Sequence, residues 1–141
     1  MKKSDFSKCA KTFMMAFQEE PWNEPWTYNS AYNRIEGMMM AGISRGYVAC
    51  NDDMIVAMLC GRINSYVDAK ELFVDEFCIL PEYQGRGIGS KMLEFVRGHL
   101  KQEGISCMVL NTERDYPAAK FYEKNGFKQK NSVVLMYNQF D

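Results

Sequence analysis

Three glycines at alternate positions, Gly85, Gly87 and Gly89, sit between an apolar run from Val74 to Leu80 and an amphipathic stretch beginning at Ile88. Glycine lets a backbone approach a ligand closely and take turns that other residues avoid. The first N–H groups of the helix that follows have no intrahelical partner, and the helix dipole adds partial positive charge there. The chemistry this predicts is the cradling of an anion, here a pyrophosphate, by Gln84 and the amides of Gly85, Arg86, Gly87, Ile88, Gly89 and Ser90.

The spacing narrows the kind of cradle. A dinucleotide fold needs G-x-G-x-x-G, whereas this run is G-x-G-x-G and has Met92 where a later glycine would fall. A Walker loop needs G-x-x-x-x-G-K-[ST], and counting five on from Gly85 reaches Ser90. The run does match Q-x-x-G-x-G from Gln84 to Gly89. A second pattern, A-x-x-F-Y-x-x-x-G-F, runs from Ala118 through Phe121 and Tyr122 to Gly126 and Phe127. In these two segments, over residues 72 to 127, the chain resembles the GNAT superfamily of acyl-CoA-dependent N-acetyltransferases.

The resemblance implies direct transfer of an acetyl group from acetyl-CoA to an amine. In that family the pantetheine arm bonds the splayed edge of the strand before the glycine loop, which maps onto Phe77, Cys78 and Ile79, with Asn111 on the opposite side. The same edge would polarise the thioester carbonyl. A primary amine is mostly protonated at neutral pH, so a base must take its proton. Glu76 is the candidate; strand alternation puts it on the face of Cys78 and opposite Asp75, and Asp75 stays an alternative. Some relatives carry the acid at the position of Asn111, which cannot act as a base. Tyr122 occupies the place of the family's general acid, with a phenol suited to protonating the leaving thiolate.

The acceptor would meet the segment Glu19-Glu20-Pro21-Trp22-Asn23-Glu24-Pro25-Trp26. Glu20, Trp22 and Trp26 are the candidate contacts, since aromatic faces attract a cation and carboxylates neutralise it. The competing reading makes these tryptophans caps of the core. His99, the sole histidine, reads as a surface residue rather than a catalyst. The leading expectation is a small-molecule amine acetyltransferase. The alternatives are a protein lysine or N-terminal acetyltransferase and a non-catalytic acyl-CoA-binding module.

The elements that must position these groups follow from periodicity. Phe6, Ala10, Phe13 and Phe17 predict a helix ending before Pro21, and Tyr28, Tyr32, Ile35 and Met39 a second one stopping at Gly42. Residues 46–50 and 54–63 read as a hairpin turned at Asn51-Asp52-Asp53, with a third strand over 70–80. Ile88, Met92, Val96 and Leu100 predict the long helix after the glycine loop. A strand over 106–112, a short helix entered by Pro117 and left at Asn125-Gly126, and a closing strand over 132–140 complete the chain. The fold class expected is α/β (α+β), a GNAT-type central mixed sheet flanked by helices in one domain over 1–141. The family's usual first strand is missing or very short, and the sheet edge left beside residues 46–50 hints at a homodimer.

Composition sets the frame. The 141 residues are 47% hydrophobic and 25% charged, with a net charge of −1, which suits one buried core and gives no electrostatic pull toward nucleic acid or an anionic membrane. There is no long apolar run or signal-like start. The five cysteines form no C-x-x-C pair and read as reduced core thiols of a cytoplasmic protein without a metal site.

Overall fold

The computed structural model describes residues 1–140, whose contacts gather into two units, Met1–Asn111 and the residues from Thr112 onward. In the first unit α1 (Phe6–Gln18) buries Phe6, Cys9, Ala10, Phe13, Ala16 and Phe17, one continuous helical stripe. Helix α2 (Tyr28–Met39) starts at a reciprocal cap. The Thr27 hydroxyl accepts from the Ser30 N–H at 3.2 Å, and the Ser30 hydroxyl accepts from the Thr27 N–H at 3.0 Å. It buries Ala31 and Ile35 and ends three residues before Gly42.

The sheet holds β1 (Ser44–Asn51), β2 (Met54–Ser65), β3 (Lys70–Ile79) and β4 (Cys107–Leu110) in that spatial order. The first two junctions are antiparallel and the third is parallel, so the sheet is mixed as expected. Helix α3 (Ile88–Gln102) makes the crossover that a parallel pair requires. On one face, Ile55, Met58, Cys60 and Cys78 pack with α1 and α2. The residues alternating with them on β2, Ala57 and Leu59, are fully buried on the other side, and α3 buries Met92, Leu93, Val96 and Leu100.

Among the described residues no strand precedes α1, and the Met1 nitrogen donates to the Gly46 carbonyl at 2.9 Å, so one bond of the β1 edge is occupied. The reading of all five cysteines as core thiols needs correction. Cys9, Cys60 and Cys78 are buried thiols, whereas Cys50 and Cys107 are exposed at strand ends. The hairpin carries a bulge between Ala49 and Cys50.

In the second unit α4 (Pro117–Lys124) has Pro117 in its first turn, where a missing N–H costs nothing, and Gly126 at φ 87° just past its end. The closing strand expected over 132–140 does not form. Val133, Val134, Leu135, Met136 and Tyr137 are exposed, and the backbone bond at this point is a turn from the Val133 N–H to the Lys130 carbonyl at 3.2 Å. β-branched residues favour a strand only against a neighbouring one, and the described tail has no ladder to join.

Candidate active site

The site grows from an irregularity in β3. Cys60 of β2 pairs with Glu76 and the next residue, Gly61, pairs with Val74, which leaves Asp75 as an extra residue on β3. Gly61 is what allows it: a Cβ there would lie 2.2 Å from the Phe73 carbonyl oxygen and 3.0 Å from the Val74 Cα. The bulge also breaks the alternation assumed from sequence. Asp75 pairs with Arg62 of β2 and raises the charge felt by Glu76, so the two acids are neighbours rather than on opposed faces.

On its other side β3 parts from β4. The parallel ladder joins Glu71–Val74 to Cys107–Leu110 and stops. Asp75 to Ile79 thus lie beyond the last pair of that ladder, and Phe77, Cys78 and Ile79 are all in this part of β3. Asn111 follows the last residue of β4 and is exposed.

The glycine loop continues from the end of β3. Pro81–Tyr83 form a single 3₁₀ turn, and Gly85 and Gly87 then take φ of 71° and 77°, the left-handed region. A Cβ at either would meet nothing within 4 Å, so the backbone conformation and not crowding by the chain asks for glycine. Helix α3 begins with Gly87 as an N-cap that supplies no side-chain bond, which leaves the amides of Ile88, Gly89 and Ser90 open to a ligand. Gln84, expected to donate to the anion, instead donates from Nε2 to the Ile79 carbonyl at 3.0 Å and ties the loop to β3. The Arg86 guanidinium lies 5.4 Å from the centre of the Tyr83 ring, whose hydroxyl accepts from Asn51 at 3.0 Å.

Glu76 lies under α2. Arg34 reaches it with Nε 2.6 Å from Oε1, and Nη2 contacts the same oxygen. Burial pushes the Glu76 carboxyl above its ordinary range, with Arg34 working against that shift and Glu24 and Asp75 adding to it. Burial also holds the Cys60 and Cys78 thiols well above their usual range, so neither supplies a thiolate nucleophile beside Glu76.

The acceptor-side residues have mixed placements. Trp26 stands edge-on to Phe13 at 4.8 Å and Trp22 edge-on to Phe17 at 5.5 Å, and both pack on the core. The cation that faces Trp26 belongs to the chain itself: the Arg34 guanidinium is 5.9 Å from its ring centre. The Trp26 indole donates to the Glu24 carboxylate. Glu20 is exposed. In the second unit Tyr122 is half-buried and stacks edge-on with Phe121 and Phe127, each at 5.3 Å. His99 is surface-borne on α3, with Nδ1 2.9 Å from the Tyr47 hydroxyl and 3.2 Å from Glu103.

Sequence reasoning missed Arg34, Arg62 and the bulge. Gly61, a glycine inside an apolar strand, was the available signal for the bulge. Nothing local marked Arg34, whose role depends on where α2 crosses β3.

Residues 42–129 match the profile of the acetyltransferase (GNAT) domain. The chain belongs to the GNAT family. Its relatives include the N-alpha-acetyltransferase 30 of Schizosaccharomyces pombe, 33% identical over 88 residues, which is 62% of this chain and 59% of that protein. The [ribosomal protein bS18]-alanine N-acetyltransferase of Haemophilus influenzae is 25% identical over 126 residues, 89% of this chain and 80% of that one. The chain thus spans less than two thirds of the first relative's length. A solved aminoglycoside antibiotic 6'-N-acetyltransferase of Acinetobacter haemolyticus superposes with a TM-score of 0.76, covering 100% of this chain and 97% of that one at 14% identity, a likeness of fold. In this GNAT chain no helix among the described residues is long and apolar enough to cross a membrane.

Proposed function

We propose that this chain transfers an acetyl group from acetyl-CoA to the primary amine of a small cationic molecule by direct attack. The observation that carries the reading is the course of β3 beyond its ladder with β4, from Asp75 to Ile79, which leads through the glycine loop to the uncapped start of α3 and has the half-buried Glu76 carboxylate upon it. A strand edge bonds an extended amide-bearing arm, and open amides at a helix start bond a pyrophosphate. Those are the two chemistries of a CoA molecule.

The thioester supplies an activated acyl group. Phe77, Cys78, Ile79 and Asn111 hold the arm, with a backbone N–H of the β3 edge donating to the carbonyl oxygen as negative charge develops on it. Gly85 to Ser90 hold the phosphates, with Gln84 fixing the loop that presents them. Glu76 takes a proton from the ammonium and frees the lone pair that forms the C–N bond as the C–S bond breaks. Two protons leave the nitrogen in all. One passes through Glu76 to water and the equivalent of the other ends on the departing sulfur, a step for which the A-x-x-F-Y resemblance nominates Tyr122. Of the acidic loop, the exposed Glu20 carboxylate favours a cationic acceptor. A cytoplasmic protein in contact with its amine pool, acting alone or as a homodimer, accords with this reading.

A second reading, acetylation of a protein N-terminal α-amine, is favoured by the names of the two sequence relatives. The test is release of CoA thiol from acetyl-CoA with aminoglycosides, polyamines, amino acids and peptides offered in turn. Turnover on small cations supports the proposal, and turnover restricted to peptide N-termini selects the second reading. Tight acetyl-CoA binding with no turnover on any amine would oppose both.

A further inference from the structure

We infer that Arg34 is the positioning residue of Glu76: its guanidinium engages the carboxylate oxygen Oε1 alone and leaves Oε2 as the atom that accepts the substrate proton. This rests on the reading of Glu76 as the base. Nε and Nη2 of Arg34 both converge on Oε1. Oε2 has no hydrogen-bond partner among the described residues. Every sealed side-chain nitrogen or oxygen of the described buried and half-buried residues does have one, and the Glu76 side chain is 13% exposed, so Oε2 keeps contact with solvent. An ion pair that occupied both oxygens in a fork would block the base. This one blocks half of it.

Arg34 is itself held. Its neighbour Ile35 is fully buried and anchors α2 to the core. The Trp26 ring lies beside the guanidinium, Phe13 packs against that ring, and the Trp26 carbonyl accepts from Gln18 Nε2 at 2.7 Å. The acidic and aromatic loop thus serves as a mount for a resident cation.

The charge around Glu76 explains why a cation is needed. Glu24 faces it from the loop between α1 and α2, and Asp75 from β3, the latter paired with Arg62 of β2. The thiols nearby, Cys9 on α1, Cys60 on β2 and Cys78 on β3, are held protonated by burial. Desolvation and both acids favour the neutral carboxyl, and Arg34 is the cation among the described residues that opposes them. Without it the carboxyl would be pushed further toward its protonated form, which cannot take a proton from an amine.

The experiment is a carbon-13 NMR titration of the Glu76 carboxyl in the full chain, alongside the pH profile of kcat/KM, for the parent, Arg34→Gln, Arg34→Lys and Trp26→Leu. Arg34→Gln is expected to raise the Glu76 midpoint by about one to three pH units, as removal of an adjacent opposite charge does. Lysine restores part of it, because an ammonium is a point charge without the guanidinium fork. Trp26→Leu gives a smaller rise through the loosened mount. The acidic limb of kcat/KM moves with the midpoint. A Glu76 midpoint unchanged in Arg34→Gln overturns the inference. A midpoint that moves while the acidic limb stays supports the coupling and instead removes Glu76 as the base.

Discussion

Val74 and Leu110 form the last pair of the β3–β4 ladder, and the next residue of β3, Asp75, is the bulged one. Bulge and ladder end coincide. An extra residue bends and twists the strand that carries it. The same residue that interrupts the ladder to β2 therefore marks where the ladder to β4 ends.

Gly61→Ala tests that link. Its Cβ would meet backbone atoms of Phe73 and Val74 that have no flexible end to yield. Forced overpacking of this kind costs about 1–3 kcal/mol. Thermal or urea unfolding should show that loss, together with weaker acetyl-CoA binding because the bulge and the part of β3 beyond it move. A variant that unfolds earlier but binds acetyl-CoA unchanged would separate the bulge from the site.

Gly87→Ala tests the loop by a different route. No atom lies within 4 Å of the added Cβ, so the cost arises from φ of 77° alone, about 1–2 kcal/mol. Asparagine tolerates this conformation better, so Gly87→Asn should fall between alanine and the parent in both stability and acetyl-CoA affinity, read by calorimetry.

Much of this was legible in the chain. The helices followed from stripes such as Phe6, Ala10, Phe13 and Phe17, which state their own burial, and the loop followed from glycines whose type dictates backbone freedom. What was not legible depends on contacts distant in sequence. Glu76 and Asp75 were set on opposite faces by simple alternation, which fails wherever a bulge intervenes. Arg34 meets Glu76 across 42 residues, and Trp26 reads equally as a ligand platform or a core cap until its neighbours are known. The tail from Ser132 has strand propensity, but propensity without a partner strand forms no ladder.

Glu76→Gln should stabilise the fold at neutral pH. Burial raises the native carboxyl above its unfolded value, so between the two values the native state binds more protons than the unfolded chain. Stability then falls as pH rises through that window and is fully present only below the unfolded value. The glutamine variant lacks this loss. Its midpoint of thermal unfolding should exceed the parent's near pH 7 and converge with it below about pH 4, the unperturbed glutamate range. Glu103, held low by Arg45, has the opposite trend in both proteins and cancels in the comparison.

Thiol chemistry reports the two classes of cysteine. Cys50 and Cys107 are exposed, whereas burial raises the thiols of Cys9, to about 12, and of Cys60 and Cys78. A disulfide reagent should label two thiols rapidly in the native chain and all five after denaturation. Rapid labelling of Cys78 would contradict the packing of β3 against α1.

Hydrogen exchange with and without acetyl-CoA addresses the central claim most directly. The account predicts new protection in two places: along β3 beyond its ladder with β4, from Asp75 to Ile79, and at the amides of Ile88, Gly89 and Ser90 at the start of α3. Binding that protects neither stretch, or protects only residues elsewhere in the sheet, would contradict it.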